Sequence, residues 1–217
     1  VLTLDELMGR FAVSRSEQTW ETVHEGLSVK YPQQALALRR RMQALGIDRW
    51  LNWEFQQSDL VELLQKPCGA VAAWEQGCGK SRLAAGLILL SGVKHGLIVV
   101  ESRLVPEMRA ELAQILPPQS VHVIDSPEAL GKLGQINLIA YERLRMPVCR
   151  EASRRVTYAH KLRRRIGLLV ADEGERLSNP TSDQSRALWQ LSARRRFVLT
   201  GSPIANYPRD VFGLIAF

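Results

Sequence analysis

Residues 70–90 read AVAAWEQGCGKSRLAAGLILL, and the order of their parts decides the fold. A short apolar run, Ala70 to Ala73, enters the turn Gly77-Cys78-Gly79-Lys80-Ser81, which opens into a helical stretch from Ser81 to Leu90. A glycine turn between strand and helix lets backbone N–H groups converge on phosphate oxygens, and the helix N-terminus adds partial positive charge. In such a loop Lys80 reaches the β- and γ-phosphates and the Ser81 hydroxyl binds Mg²⁺. The generic loop pattern asks for glycine where this chain has Trp74, so an ordinary glycine-rich turn is the competing reading.

Outward from this unit the alternation continues. Further strands are expected at Leu97 to Val100, Val121 to Ile124, Ile136 to Ala140, Ile166 to Ala171 and Phe197 to Thr200, several of them apolar on both faces. Parallel strands covered by helices on each side have this character. Helices are expected at Leu104 to Leu116, Asp183 to Leu191 and Arg209 to Phe217. In the first of these, Leu104, Met108, Leu112 and Ile115 recur at three- and four-residue spacing, and Pro117-Pro118 ends it. The pattern is that of an α/β fold with a central, mostly parallel sheet. Residues 1–50 read as a helical appendage, with a long helix from Gln33 to Leu45 stopped by Gly46, and 51–217 as the main domain.

Two more motifs sit at strand ends, where α/β folds place ligands. Asp172-Glu173 follows the Ile166 to Ala171 strand: a carboxylate there holds Mg²⁺, and a neighbouring one polarises the attacking water. Leu199-Thr200-Gly201-Ser202-Pro203 ends the last strand with two hydroxyls and a tight turn. Helix capping and a simple Ser-Pro turn are the bland readings of each; the three motifs together, in this order, outweigh them.

Composition sets the bounds. With 46% hydrophobic and 24% charged residues in a chain of 217, a sizeable core is available. The longest apolar run, Leu83 to Leu90, falls well short of the ~20 residues that cross a bilayer, so no membrane role is expected. Three cysteines without a CxxC pair and four scattered histidines argue against a disulfide framework or a zinc site, which points to a reducing, intracellular setting. Val1 in place of Met, with no leader pattern, suggests a piece of a longer chain. The net charge of +7 is concentrated: Arg145 to Arg165 holds eight bases and one acid, and the remainder balances at 21 of each. A localised basic surface suits a polyanion, and a solvated basic helix is the alternative.

Residues 55–217 resemble the first RecA-like lobe of superfamily two helicases, specifically the Swi/Snf-type DNA translocases. The loop Trp74-Glu75-Gln76-Gly77-Cys78-Gly79-Lys80-Ser81 is similar to that family's Asp-Glu-x-Gly-x-Gly-Lys-Thr. Asp172-Glu173-Gly174-Glu175 followed by Asn179-Pro180 is similar to its carboxylate box, and Leu199-Thr200-Gly201-Ser202-Pro203-Ile204-Ala205-Asn206 to its Leu-Thr-Gly-Thr-Pro motif. Trp74 and Glu175 depart from the pattern, Glu175 standing where His or Gln is usual.

The resemblance implies a DNA-dependent ATPase that uses ATP and Mg²⁺. Lys80 and Glu173 become the catalytic residues, and Gln56, Gly77, Cys78, Gly79, Lys80, Ser81 and Arg82 the nucleotide-binding set, with Gln56 reading adenine. Ser81 and Asp172 would hold the metal, while Glu175, Thr200 and Ser202 would couple the nucleotide to the DNA side. Arg103, Tyr141, Arg154, Arg155, Arg163 and Arg164 would contact DNA, expected to be double-stranded. The tryptophans, Trp53 and Trp74 included, are expected to pack. A second RecA-like lobe of the same polypeptide would supply an arginine finger, worth roughly 10³ to 10⁵ in rate, so residues 1–217 alone are expected to hydrolyse ATP barely. A strand-separating helicase, the motor of a restriction or phage system, or a degenerate scaffold lobe without hydrolysis would fit the same residues.

Overall fold

The computed structural model describes residues 32–151, 154–177, 179 and 181–201. The expectations for residues 1–31, for Ser202 and for a helix at Arg209 to Phe217 lie outside the described residues, as do those for the side chains of Arg154 and Arg155.

The elements run α1 (Pro32–Ala44), α2 (Glu54–Gln65), β1 (Gly69–Ala73), α3 (Lys80–Ser91), β2 (Gly96–Val100), α4 (Val105–Ile115), β3 (Val121–Val123) and β4 (Ile136–Ala140). They continue with α5 (Tyr141–Leu144), β5 (Pro147–Glu151), β6 (Arg154–Thr157), α6 (Tyr158–Leu162), β7 (Leu168–Ala171), α7 (Asp183–Trp189) and β8 (Arg195–Thr200). Six strands form one sheet in the order β1-β8-β7-β2-β4-β3, every pair parallel. All six strands expected from the sequence are present, within a few residues at each end.

The double-sided apolar character of the strands has a direct cause. Ile98, Val100, Leu168, Val170, Phe197 and Leu199 point into one core, shared with α1 to α4; Leu97, Val99, Leu169, Ala171 and Val198 point into a second, shared with α5 to α7. Side chains alternate across a strand, so each strand must be apolar at every position to feed both layers. Met42 and Ile47 are buried in the first core, which anchors the described part of residues 1–50 to the α/β domain.

Two elements differ from expectation. Glu54–Gln65 is a full helix that buries Leu60, Val61, Leu63 and Leu64. Within the basic stretch, β5 and β6 form an antiparallel hairpin where a helical insert was the alternative, and only α6 is helical. Among the described residues, no helix is long and apolar enough to cross a membrane.

Candidate nucleotide site

Parallel pairing carries the expected motifs to one edge of the sheet. Ala73 of β1 pairs with Thr200 of β8, and Ala171 of β7 pairs with Val198. The glycine turn, Thr200 and Asp172-Glu173 therefore emerge side by side at the C-terminal ends of three adjacent strands, the position at which open α/β sheets bind ligands.

The glycine turn is built as a cradle. Gly77 and Gly79 adopt φ of 86° and 85°, a left-handed region costly to any residue with a Cβ. A Cβ on Gly77 would have nothing within 4 Å, whereas one on Gly79 would lie 2.8 Å from the Gln56 amide nitrogen. Gln56 is buried, and both ends of its amide are used: Nε2 donates to the Cys78 carbonyl at 2.8 Å and Oε1 accepts from the Trp53 N–H at 3.3 Å. It clamps the turn to the start of α2, and these two bonds engage the amide that was expected to read adenine.

A cavity of about 480 Å³ opens on this turn, lined among others by Trp53, Lys80, Ser81, Arg82, Asp172 and Glu173. That volume falls in the range of small-molecule and cofactor sites. Trp53 is 52% exposed at this cavity rather than packed away, which corrects the packing expectation: its ring lies tilted against Phe55, with the centroids 5.3 Å apart. Trp74 does pack, 3% exposed, with its indole N–H donating to Asp59 at 2.8 Å. Arg82 donates to the Trp50 carbonyl at 2.9 Å and is the one arginine of the described cavity lining.

The carboxylates facing Lys80 are electrostatically uneven. Lys80 Nζ lies 3.6 Å from Glu173. Glu173, held at φ 52°, has its pKa pushed up to about 7, first by its hydrogen bond with Glu175 and then by burial, against the pull of Lys80. For Glu175 burial pushes upward, but hydrogen bonds from Glu173 and Thr200 outweigh it and the pKa falls below the usual carboxylate value. Below about pH 7 the proton of the pair is therefore held on Glu173, and Thr200 donates to Glu175 at 2.6 Å. Burial raises the Asp172 pKa, with Lys80 opposing.

These groups fit a magnesium nucleotide. Asp172 Oδ1 is buried without a hydrogen-bond partner, an arrangement that costs free energy unless a cation completes it. The Ser81 hydroxyl donates to Glu111 of α4, a carboxylate that sequence reasoning missed because it sits on the polar side of an ordinary amphipathic helix. Among the described residues no cluster of three His, Cys, Asp or Glu is arranged to hold a metal. Mg²⁺ bound through one or two protein oxygens and substrate phosphates needs none.

The sequence profile of the SNF2-related domain family matches residues 92–217, more than half of the chain. The chain belongs to the SNF2-related domain family. It is 30% identical over 166 residues to the DNA repair and recombination protein RAD54B of Gallus gallus, a match covering 69% of this chain and 17% of that protein. It is 43% identical over 49 residues to the helicase-like transcription factor of Mus musculus, covering 23% of this chain and 5% of that one. The chain thus spans less than a fifth of the length of these curated relatives. Its fold is that of the Sulfolobus solfataricus SWI2/SNF2 ATPase core solved in complex with dsDNA, with a TM-score of 0.59 at 19% identity over 75% of this chain and 34% of that one.

In this SNF2-related lobe, a second network lies on the same sheet edge, beyond β7. Glu101, at the end of β2, is 6% exposed and pairs with both Arg103 and Arg176. Arg176 also lies 3.9 Å from Glu142, whose other oxygen accepts from the Ser102 hydroxyl at 2.6 Å. Arg103, expected at DNA, is 80% exposed but tethered to Glu101. Tyr141, also expected at DNA, is fully buried, its hydroxyl donating to the Asp172 carbonyl at 2.7 Å; it is a strut between β4 and the acidic turn rather than an exposed contact. Arg163 and Arg164 precede β7, at the opposite edge of the sheet, so their place in the sequence between two motifs does not bring them to this edge. Glu101, Glu142 and Arg176 were the missed members. Glu101 carried the same signal as Asp172, an acid directly after an apolar strand.

Proposed function

We infer that the chain is the ATP-binding lobe of a DNA-dependent ATPase of the Swi/Snf type, comprising a helical N-terminal part and a RecA-like domain over 51–217. The observation that carries this reading is the unpartnered Asp172 oxygen at a cavity lined by Lys80 and Ser81 at the start of α3. Lys80 and the backbone of residues 77–82 would hold the phosphates, and Asp172 with Ser81 would hold Mg²⁺, which supplies charge neutralisation on the β- and γ-phosphates. Trp53 offers a face to the base, beside the Gln56 clamp. Glu173 would orient the attacking water and take its proton, which requires it to give up the proton it shares with Glu175. Thr200, bonded to Glu175, would link that carboxylate pair to β8, and Ser202 is assigned to the same coupling role.

No arginine of the described cavity lining is free to reach a γ-phosphate, since Arg82 is held at Trp50. A second RecA-like lobe of the same polypeptide would provide one and close the cleft. Movement along double-stranded DNA fits the relatives' named roles in DNA repair, and Arg103, Arg154 and Arg155 are the contacts we assign to it. The test is DNA-stimulated ATP hydrolysis by the full-length protein carrying Lys80→Ala. A motor loses both hydrolysis and its activity on DNA, whereas a scaffold lobe keeps its DNA function.

A further inference from the structure

The parallel sheet separates charge between its two edges. At the C-terminal edge the stretches 74–79, 101–104, 124–127, 141–145 and 172–177 hold seven Asp and Glu against four Arg. At the N-terminal edge the stretches 66–68, 92–95, 132–135, 163–167 and 192–196 hold nine Lys and Arg and no Asp or Glu. Two triple-arginine runs account for most of that excess, 163–165 before β7 and 194–196 at the start of β8. Chain pairing brings them together: the N–H groups of Arg194 and Arg195 both donate to the Gly167 carbonyl, at 3.2 and 3.4 Å. On the other side the Gly167 N–H donates to the His95 carbonyl at 2.9 Å, which sets Lys94 beside the first run.

We propose that this N-terminal edge is a second phosphate-binding surface for nucleic acid, formed by Lys94, Arg163, Arg164, Arg165, Arg194 and Arg195 and separate from the nucleotide edge. Lys94, Arg163, Arg164, Arg165 and Arg194 are exposed, and Arg195 is half-buried. Among the described residues none of the six forms an ion pair. Three adjacent strands place these cations across about 10 Å, which matches about three phosphates of one DNA strand. Arginine predominates, and its planar fork suits phosphate oxygens.

The turn itself carries a second mark. Arg164 sits at φ 64° just after α6, a left-handed position where helices ordinarily end in Gly or Asn. A chain shaped for turn geometry alone has no use for arginine there, and Arg164 is exposed. From Arg165 to Asp172 the chain runs roughly 20 Å through β7, so one duplex held on the nucleotide edge does not reach these residues without bending around the lobe.

The choice of nucleic acid over an acidic protein rests on the function proposed above; the surface itself does not depend on hydrolysis. The test is the salt dependence of binding to a fluorescent 30-bp duplex, read by anisotropy, with wild type and the double variant Arg163→Glu/Arg194→Glu. Each lost phosphate contact reduces the slope of log K against log salt by about 0.9, so the slope should fall by about two, and affinity near 100 mM salt by about tenfold or more. Thermal melting and Mg-ATP binding are followed in parallel. Unchanged melting and nucleotide binding with the reduced slope support the second surface. An unchanged slope in the folded variant overturns it, and so does displacement of wild type from the duplex by poly-glutamate as effective as by unlabelled duplex. Where the double variant melts early, Arg163→Gln and Arg194→Gln singly should each lower the slope by about one, and no change in either refutes the surface. Failure of wild type to bind Mg-ATP would instead count against the nucleotide site alone.

Discussion

Replacing Gly79 by alanine tests the cradle with a magnitude set by the structure. At φ 85° an alanine is in the left-handed region, at a cost of about 1–2 kcal/mol. Its methyl would meet the Gln56 amide at 2.8 Å, so that side chain must leave the Cys78 carbonyl and forfeit a hydrogen bond with a net value of about 1 kcal/mol. The sum is roughly 2–3 kcal/mol, or a fall in Tm of roughly 4–12 °C for a domain of this size. Gly77→Ala is the control: its φ of 86° carries the same backbone cost, but nothing lies within 4 Å of the new methyl. It should lose roughly 2–8 °C, while its methyl fills space that the phosphates need. Circular-dichroism melting read beside Mg-ATP titration separates the two effects. A Gly79→Ala protein no less stable than Gly77→Ala would refute the Gln56 clamp, and full nucleotide affinity in Gly77→Ala would refute the phosphate cradle.

Other consequences follow from the acidic pair and the exposed indole. Glu173 titrates at about 7, so below that pH it holds the proton that a general base must lack; single-turnover hydrolysis by the full-length protein should rise through pH 7 and level off near pH 8. Because the bond with Glu175 is the largest cause of the raised value, Glu175→Gln should move this acid limb to lower pH; an unmoved limb would assign the titration to another group. Trp53→Ala should weaken nucleotide binding by about fivefold to tenfold, equivalent to about 1–1.5 kcal/mol of ring contact, and should leave melting nearly unchanged because the ring is half exposed. Nucleotide-dependent quenching of indole fluorescence, lost in that variant, reports the same contact.

What could be read from the sequence divides along physical lines. The six sheet strands were legible because burial on both faces demands continuous apolar runs, and the edge carrying Lys80, Asp172 and Thr200 followed because each motif directly succeeds such a run. The β5–β6 hairpin was not legible: PVCRE and RRVT are short and charged, and they pair with each other outside the main sheet. Tyr141 and Trp53 exchanged their expected roles, buried strut and exposed platform, because an aromatic ring's use depends on what the tertiary fold stacks over it. Arg163 and Arg164 show the limit of arguing from order along the chain. Two motifs at one sheet edge are joined by a segment that must visit the other edge, since every strand of the sheet is parallel.

If Asp172 and Ser81 hold Mg²⁺ on phosphates gripped by Lys80, as proposed, ATP binding must depend on both the metal and that lysine. Calorimetric titration of ATP into the chain, with Mg²⁺ and with EDTA, tests it most directly. Wild type should bind more tightly with Mg²⁺, Asp172→Ala should lose that difference, and Lys80→Ala should weaken binding about tenfold or more, as expected for a charge-assisted hydrogen bond. Equal affinity with and without Mg²⁺ in wild type, or undiminished binding in Lys80→Ala, would contradict it.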